Sequence, residues 1–129
     1  MTKLIQVLLV DDQRIVTDTI SYMMRDKGYA VDVAHEAATG LVLAKKKSYD
    51  VIFTDYIMPG DLGTDMIRKI REFDSRVPVV MITGNPDEKM IRATEGLNIA
   101  GFFSKAGGVV ELEQVMEVVL RGIRRSKGN

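Results

Sequence analysis

The chain has 129 residues, a length typical of one domain, and its 18 Lys and Arg balance its 18 Asp and Glu, so no net charge draws it toward nucleic acid or an anionic membrane. It contains no cysteine, which excludes disulfides, thiolate chemistry and cysteine-based metal sites. No apolar run approaches the roughly 20 residues that span a bilayer, and the N-terminus lacks the apolar segment of a signal peptide, so we predict a soluble cytoplasmic protein.

Short apolar runs alternate along the chain with segments of helical spacing. Most of the runs are rich in Val, Ile and Phe without polar alternation, which is typical of strands buried on both faces of a parallel sheet. They cover residues 4–10, 29–34, 51–53, 77–82 and 99–103. We predict one strand in each run.

Between the runs, apolar residues recur at the spacing of amphipathic helices. The first predicted helix covers residues 14–27, and the second and fourth cover residues 36–47 and 86–95. The third and fifth are predicted from apolar stripes alone. The apolar positions are Ile15, Val16, Ile20, Met23 and Met24 in the first helix, Met66, Ile67, Ile70 and Phe73 in the third, and Leu112, Val115, Met116, Val119, Leu120 and Ile123 in the fifth. Gly28 is predicted to end the first helix in a left-handed conformation. Pro86 is predicted in the first turn of the fourth helix, with Asn85 as its cap.

This strict alternation of five strands and five helices predicts an α/β fold, in which helices cover both faces of a five-stranded parallel sheet. Polar residues follow four of the five strands: Asp11 and Asp12, Asp55, Thr83, and Lys105. In the doubly wound order 2-1-3-4-5 these four strands are neighbours about 4.8 Å apart, and the remaining strand lies at an edge. The polar side chains then converge at the carboxyl edge of the sheet, where open α/β sheets bind ligands.

The chemistry of this set points to phosphoryl transfer. Three carboxylates in one crevice repel one another and need a cation, and an all-oxygen ligand set suits Mg²⁺. A carboxylate can attack phosphorus as a nucleophile, while a metal, an ammonium and a hydroxyl stabilise the transferring group. The sequence therefore predicts an aspartate that accepts a phosphoryl group.

The same residues resemble those of bacterial response-regulator receiver domains, over nearly the whole chain. The matching motifs are the acidic pair Asp11-Asp12, the pattern D-x-x-M-P-x-x-x-G from Asp55 to Gly63, the pair Thr83-Gly84, and Phe102 three residues before Lys105. The resemblance implies a flavodoxin-like fold with the strand order 2-1-3-4-5. It also implies a signalling switch rather than an enzyme.

The resemblance assigns a role to each residue of the site. It implies that Asp55 is phosphorylated, and that Mg²⁺ is bound by Asp12, Asp55 and the backbone carbonyl of Ile57, with Asp11 acting through a water. Lys105 would pair with the carboxylate or phosphoryl oxygens.

The resemblance further implies a conformational switch. Thr83 would move to hydrogen-bond the phosphoryl group and Phe102 would swing inward, changing the face formed by the fourth helix, fifth strand and fifth helix. The donor would be a phosphohistidine on a sensor histidine kinase or a phosphotransfer protein. A downstream protein or an output domain would read the changed face, which is also a candidate homodimer surface, and no direct binding to nucleic acid or membrane is expected.

Three residues depart from the family pattern. Ala106 replaces the proline that usually follows the lysine, so we expect a looser loop over residues 106–108. Phe102 replaces a frequent tyrosine and has no hydroxyl group. Ile57 is apolar where the family is often polar, and we predict that it slows hydrolytic loss of the phosphoryl group.

Each residue alone also has an ordinary explanation. Asp11 or Asp12 could cap the first helix, Asp55 and Thr83 could form turns, and Lys105 could be a solvated strand end. The rival functions are a flavodoxin-like nucleotide or flavin binder, an aspartyl-phosphate hydrolase and a docking module that is never phosphorylated. We predict a receiver domain over residues 1–123 and a basic tail over residues 124–129, which is either a helix end or the start of a linker.

Overall fold

A computed structural model describes residues 4–58, 61–84 and 86–127 and contains one five-stranded parallel sheet. Its strands, labelled in chain order, are β1 (Gln6–Val10), β2 (Ala30–Ala34), β3 (Val51–Asp55), β4 (Val79–Thr83) and β5 (Ile99–Ser104). Their spatial order is β2-β1-β3-β4-β5, with every pair parallel. The predicted fold and strand order are confirmed.

Five helices of the described residues cover the sheet: α1 (Arg14–Asp26), α2 (Ala37–Lys46), α3 (Gly63–Arg71), α4 (Glu88–Ala93) and α5 (Val109–Ser126). Two apolar clusters lie on opposite faces. One joins the sheet to α1 and α5 through residues such as Ile20, Met24 and Met116. The other joins it to α2 and α3, through Met66 and Ile67 among others. Within the described residues no helix is long and apolar enough to cross a membrane.

Burial of the strands follows their position in the sheet. Every residue of β3 and β4 is buried, and so are four of the five residues of β1. The edge strands β2 and β5 are only partly buried, which explains why the second run has a weaker apolar pattern. The order therefore places β1 and β3, the strands that end in carboxylates, side by side in the interior.

The predicted end of the first helix is confirmed. Gly28 has φ +94°, a left-handed conformation that side chains other than glycine rarely adopt. Its N–H donates to the carbonyl of Arg25 at 3.0 Å, and the N–H of Tyr29 donates to that of Met24 at 3.0 Å. These bonds satisfy carbonyls at the helix end and turn the chain into β2.

The predicted start of the fourth helix is wrong. Helix α4 begins at Glu88, because the side chain of Asp87 accepts a hydrogen bond from the N–H of Met90 at 2.8 Å and so caps it. Pro86 precedes this cap and is not in the first turn. Asn85 lies outside the described residues.

Two apolar residues assigned to buried helix faces are exposed instead. Ile15 on α1 is 77% exposed, and Phe73 is 47% exposed because α3 ends at Arg71 and the chain has already turned away. A short hairpin, Ile57–Met58 paired with Asp61–Leu62, was not predicted. Strands of two residues are too short to produce a detectable periodicity.

Helix α5 is joined by polar contacts to the turn between α1 and β2. The carboxylate of Glu113, which is 3% exposed, accepts hydrogen bonds from Lys27 Nζ at 3.1 and 3.2 Å. Glu117, which is also buried, accepts one from Tyr29 Oη at 3.2 Å. Farther along, Arg124 packs over the Tyr29 ring, so helical structure continues into the predicted tail. The boundary at residue 123 stays a prediction.

Two arginines of α3 bind the far end of α4 and the turn that follows it. Arg68 donates to the carbonyl of Ala93 at 3.0 Å. Arg71 donates to the carbonyls of Leu97 at 2.8 Å and Asn98 at 3.1 Å. These carbonyls lie where α4 has ended, and the guanidinium groups satisfy them.

Candidate functional site

A cleft lies at the carboxyl edge of the sheet, above the ends of β1, β3, β4 and β5. Its volume is about 480 Å³, and it is lined by Asp12, Gln13, Asp55, Tyr56, Ile57, Thr83, Gly84, Asp87 and Lys105. The topology brings these residues together from five separate parts of the chain. Five of the seven predicted site residues line this cleft: Asp12, Asp55, Ile57, Thr83 and Lys105.

The acidic pair follows β1 directly. Asp11 continues the pairing with β2, since its N–H donates to the carbonyl of Ala34 at 3.0 Å, and its side chain is fully buried. Its Oδ1 accepts from the N–H of Gln13 at 3.0 Å, ahead of the first turn of α1. Asp12 is exposed toward the cleft. Neither carboxylate therefore caps α1, whose cap position is Gln13 without a side-chain hydrogen bond.

Asp55 is the last residue of β3, and its carboxylate is held from both sides. Oδ1 accepts from the N–H of Tyr56 at 2.7 Å, and Oδ2 accepts from Lys105 Nζ at 2.7 Å. The Asp55 side chain is 11% exposed, so one face stays open to the cleft. Its backbone carbonyl accepts from the hydroxyl of Thr54 at 3.0 Å and lies against Gly63.

Lys105 follows β5 and points its ammonium between two carboxylates. In addition to its bond to Asp55, Nζ lies 2.6 Å from Asp11 Oδ2 in an ion pair and donates to Gln13 Oε1 at 3.1 Å. The N–H of Lys105 donates to the carbonyl of Thr83 at 2.8 Å, which fixes the backbone at the end of the sheet. Among the described residues lining the cleft, Lys105 is the only cation.

Burial and neighbouring charges set the protonation of this site. Burial raises the pKa of Asp55 and the charge of Asp11 raises it further, against the lowering effect of Lys105 and the Tyr56 N–H, and the net shift is upward. Burial lowers the pKa of Lys105, but hydrogen bonds and charge from Asp11 and Asp55 outweigh it and raise the pKa. The two upward shifts are consistent, because one ammonium gains from two carboxylates while each carboxylate shares it.

The acidic residues fit a divalent cation. Carboxylate oxygens of Asp11, Asp12 and Asp55 all lie within 4.8 Å of one another. Three such groups exceed the charge of one ammonium, and hard oxygen ligands of this kind are those that Mg²⁺ binds. The described residues thus present a donor set that could hold this ion beside Asp55.

The remaining predicted residues lie around this centre. Thr83 ends β4, is buried and lines the cleft, and Ile57 is 65% exposed at its rim. Phe102 is half-buried on β5, paired with Met81, and does not line the cleft. After Lys105, the N–H of Ala106 donates to the hydroxyl of Ser104 at 3.0 Å. Whether the loop over residues 106–108 is looser than in relatives stays a prediction.

Three residues of the cleft were not predicted: Gln13, Tyr56 and Asp87. Gln13 reaches Lys105 across 92 positions of sequence, which no local pattern reports. One signal was present, because glutamine is a poor choice for the cap position of α1.

Comparison with known proteins agrees with this arrangement. A family model for the response regulator receiver domain matches residues 7–117. The chain is 26% identical over 122 residues to the chemotaxis protein CheY-3 of Vibrio cholerae, covering 92% of this chain and 94% of that protein. It is 29% identical over 77 residues to the transcriptional regulatory protein YkoG of Bacillus subtilis, covering 60% of this chain. That match spans about a third of YkoG, 34% of its length.

The fold is also found in solved structures. The crystal structure of a CheY-like response regulator receiver domain protein from Methanospirillum hungatei superposes with a TM-score of 0.84, covering 96% of this chain and 99% of that one. The two are 19% identical, so this likeness supports the fold alone. The family match over residues 7–117 shows that the chain belongs to the response regulator receiver domains of two-component systems.

Proposed function

We propose that this domain accepts a phosphoryl group on Asp55 from a phosphohistidine donor and thereby switches its interaction with a partner. The observation that carries the proposal is the position of Asp55. Its Oδ2 lies 2.7 Å from Lys105 Nζ, and its carboxylate lies within 4.8 Å of those of Asp11 and Asp12. A nucleophile, an ammonium and a divalent-cation ligand set thus share one open cleft.

In the proposed reaction, a carboxylate oxygen of Asp55 attacks the phosphorus of the donor. The O–P bond of an acyl phosphate forms while the P–N bond to the donor imidazole breaks, and the imidazole nitrogen takes the electron pair. No general base is needed, because an ionised carboxylate is already a nucleophile. Asp55 stays ionised at neutral pH in this scheme, with Lys105 balancing part of the charge that gathers at the oxygens.

The metal in this proposal is Mg²⁺, held by Asp12, Asp55 and the carbonyl of Ile57, with Asp11 acting through a water. Bound there, it would neutralise charge on the phosphoryl oxygens. Asp11 is fully buried and already paired with Lys105, which supports an indirect role, whereas exposed Asp12 is accessible to an ion from the cleft.

The proposed switch links Thr83 and Phe102 to a distant face. Thr83 would hydrogen-bond the phosphoryl group and Phe102 would rotate inward, a local charge change that biases two states of the domain. Exposed apolar residues support α4 and α5 as the face that changes: Ile91 is 49%, Val110 is 56% and Val118 is 65% exposed. A partner protein, an output domain or a second copy of the chain would dock there.

The proposed donor is a sensor histidine kinase or a phosphotransfer protein, which places the reaction in the cytoplasm. We propose the receiver domain over residues 1–123, with residues 124–129 as its basic tail. The domain does not turn over a substrate in this scheme, and it binds neither membrane nor nucleic acid directly. The charge of Asp11 and Asp12 disfavours the rival flavin or nucleotide binder, because it opposes a phosphate in the loop after β1.

The test is incubation with Mg²⁺ and acetyl phosphate, followed by intact mass. We expect a single phosphoryl addition that disappears in Asp55→Asn and when EDTA replaces the metal. The matched control is Asp18→Asn, which alters an exposed aspartate of α1 and should leave the addition intact. No addition to the unaltered protein, or equal addition to Asp55→Asn, would contradict the proposal.

A further inference from the structure

Gln13 occupies the cap position of α1 but does not cap it. The backbone there has φ −82° and ψ 103°, and no side-chain hydrogen bond is made to the first turn. Ser, Thr, Asp and Asn are the residues that stabilise this position. The side chain instead crosses the cleft, where Oε1 accepts a hydrogen bond from Lys105 Nζ at 3.1 Å.

The Gln13 backbone is fixed on both sides. Its N–H donates to Asp11 Oδ1 at 3.0 Å. Its carbonyl accepts from the N–H groups of Val16 at 3.0 Å and Thr17 at 3.1 Å. The side chain therefore starts from a rigid point beside the acidic pair, which limits the loss of freedom when it binds Lys105.

The Lys105 ammonium faces three groups that can act as acceptors. It donates hydrogen bonds to the Asp55 carboxylate and to the Gln13 amide, and it forms an ion pair with the Asp11 carboxylate at 2.6 Å. Because an ammonium only donates, the amide atom facing it is the carbonyl oxygen. Gln13 is the one neutral acceptor and the exposed one, so it holds the ammonium on the solvent side without adding charge that would repel a phosphoryl group.

We propose that Gln13 is a positioning residue that directs the Lys105 ammonium toward Asp55 during phosphoryl transfer. This inference rests on the proposed function. Without the third acceptor, the flexible lysine can turn toward the cleft mouth, and fewer molecules hold it in the reactive geometry. The hydrogen bond between Gln13 and Lys105 involves a charged group but is weakened by exposure. Its loss should make phosphorylation about three- to ten-fold slower.

The test compares Gln13→Asn with Gln13→Met. Asparagine is a better helix cap, but its side chain is one methylene shorter and cannot reach Lys105. Methionine keeps the length and lacks the strong acceptor. We expect both variants to gain the phosphoryl group from acetyl phosphate and Mg²⁺ about three- to ten-fold more slowly, while Gln13→Asn keeps or raises the unfolding free energy. Gln114→Asn, at an exposed position of α5, controls for the chemical change.

A second readout does not depend on activity. In the absence of donor and metal, the ¹⁵Nζ resonance of Lys105 should move toward that of a solvated lysine in both variants and stay in place in Gln114→Asn. Slow phosphorylation accompanied by a loss of stability in Gln13→Asn would indicate a structural role and overturn the inference. The inference would also be overturned if both variants gained the phosphoryl group on Asp55 at the wild-type rate. A wild-type chain that gains no phosphoryl group would instead refute the proposed function itself.

Discussion

Replacing Gly63 with alanine should destabilise the domain, because the first residue of α3 lies directly on the backbone of the site. A Cβ built at Gly63 would lie 2.1 Å from the carbonyl oxygen of Asp55 and 3.3 Å from Thr54 Oγ1. Carbon–oxygen contacts usually exceed about 3.3 Å, so the methyl group overlaps the carbonyl by roughly 1 Å. The neighbouring backbone cannot easily yield, since the N–H of Gly63 donates to the Tyr56 carbonyl at 2.6 Å.

The expected cost combines two effects. Steric overlap with a fixed backbone should lower the unfolding free energy by about 3 kcal/mol, the upper end of the usual range for overpacking. The better helix propensity of alanine should raise it by about 1 kcal/mol. We therefore expect Gly63→Ala to lose about 2 kcal/mol of unfolding free energy, which lowers Tm by about 8 °C in a domain of this size.

Gly122→Ala is the matched control for this substitution. Gly122 is exposed in α5, and a Cβ there meets nothing within 4 Å. The same chemical change should then stabilise by about 1 kcal/mol through helix propensity alone. Urea unfolding followed by far-UV circular dichroism measures both variants. A Gly63→Ala protein as stable as the wild type would refute the steric argument.

Three further predictions concern the cleft and the hydrogen bond between Tyr29 and Glu117 of α5. Ile57→Asn should lose its phosphoryl group faster than the wild type with Mg²⁺ present, because an exposed polar side chain replaces the apolar one at the cleft rim; equal decay by intact mass would contradict this. In EDTA at neutral pH, Asp55→Asn should be more stable than the wild type. The pKa of Asp55 is raised in the folded state, so ionisation of its carboxyl group lowers the unfolding free energy at pH values above the unfolded-state pKa of 3.8. The difference in unfolding free energy should shrink as the pH falls through the folded pKa, and an asparagine variant that is less stable at neutral pH would argue against it. Tyr29→Phe should lower the unfolding free energy by about 1–2 kcal/mol, because the buried Glu117 carboxylate loses its hydroxyl donor. The control Tyr22→Phe, at a position that is 72% exposed, should change the unfolding free energy little. Equal urea midpoints for the two variants would count against the contact between Tyr29 and Glu117.

The sequence predicts the sheet well because its signals are local and repeated. Each strand is a short apolar run, and four of the five runs are followed by the polar residues of the site. Right-handed crossovers then leave few strand orders that bring Asp11, Asp55 and Lys105 together. The same logic places the acidic cluster beside β3 before any distance is known. What these residues share is position at a strand end, which the chain pattern reports directly.

Details that depend on side-chain competition were not predictable in this way. Helix α4 begins where Asp87 captures the N–H of Met90, and Pro86 alone gave no sign of this choice. Ile15 belongs to an apolar sequence pattern yet points to solvent, since burial depends on what packs opposite. The hydrogen bond from Lys105 to Gln13 joins residues that are 92 positions apart, so it exists only after folding.

The arginines of α3 have a mechanical consequence for α4. Arg68 binds the carbonyl of Ala93, the last residue of this six-residue helix, and Arg71 binds the carbonyls of Leu97 and Asn98 in the turn that follows. The near end of α4, at Asp87, borders the cleft and carries no such tether from α3 in the described part of the chain. We therefore expect a displacement of α4 that starts at the cleft to tilt the helix about Ala93 more readily than it moves the whole helix along the sheet.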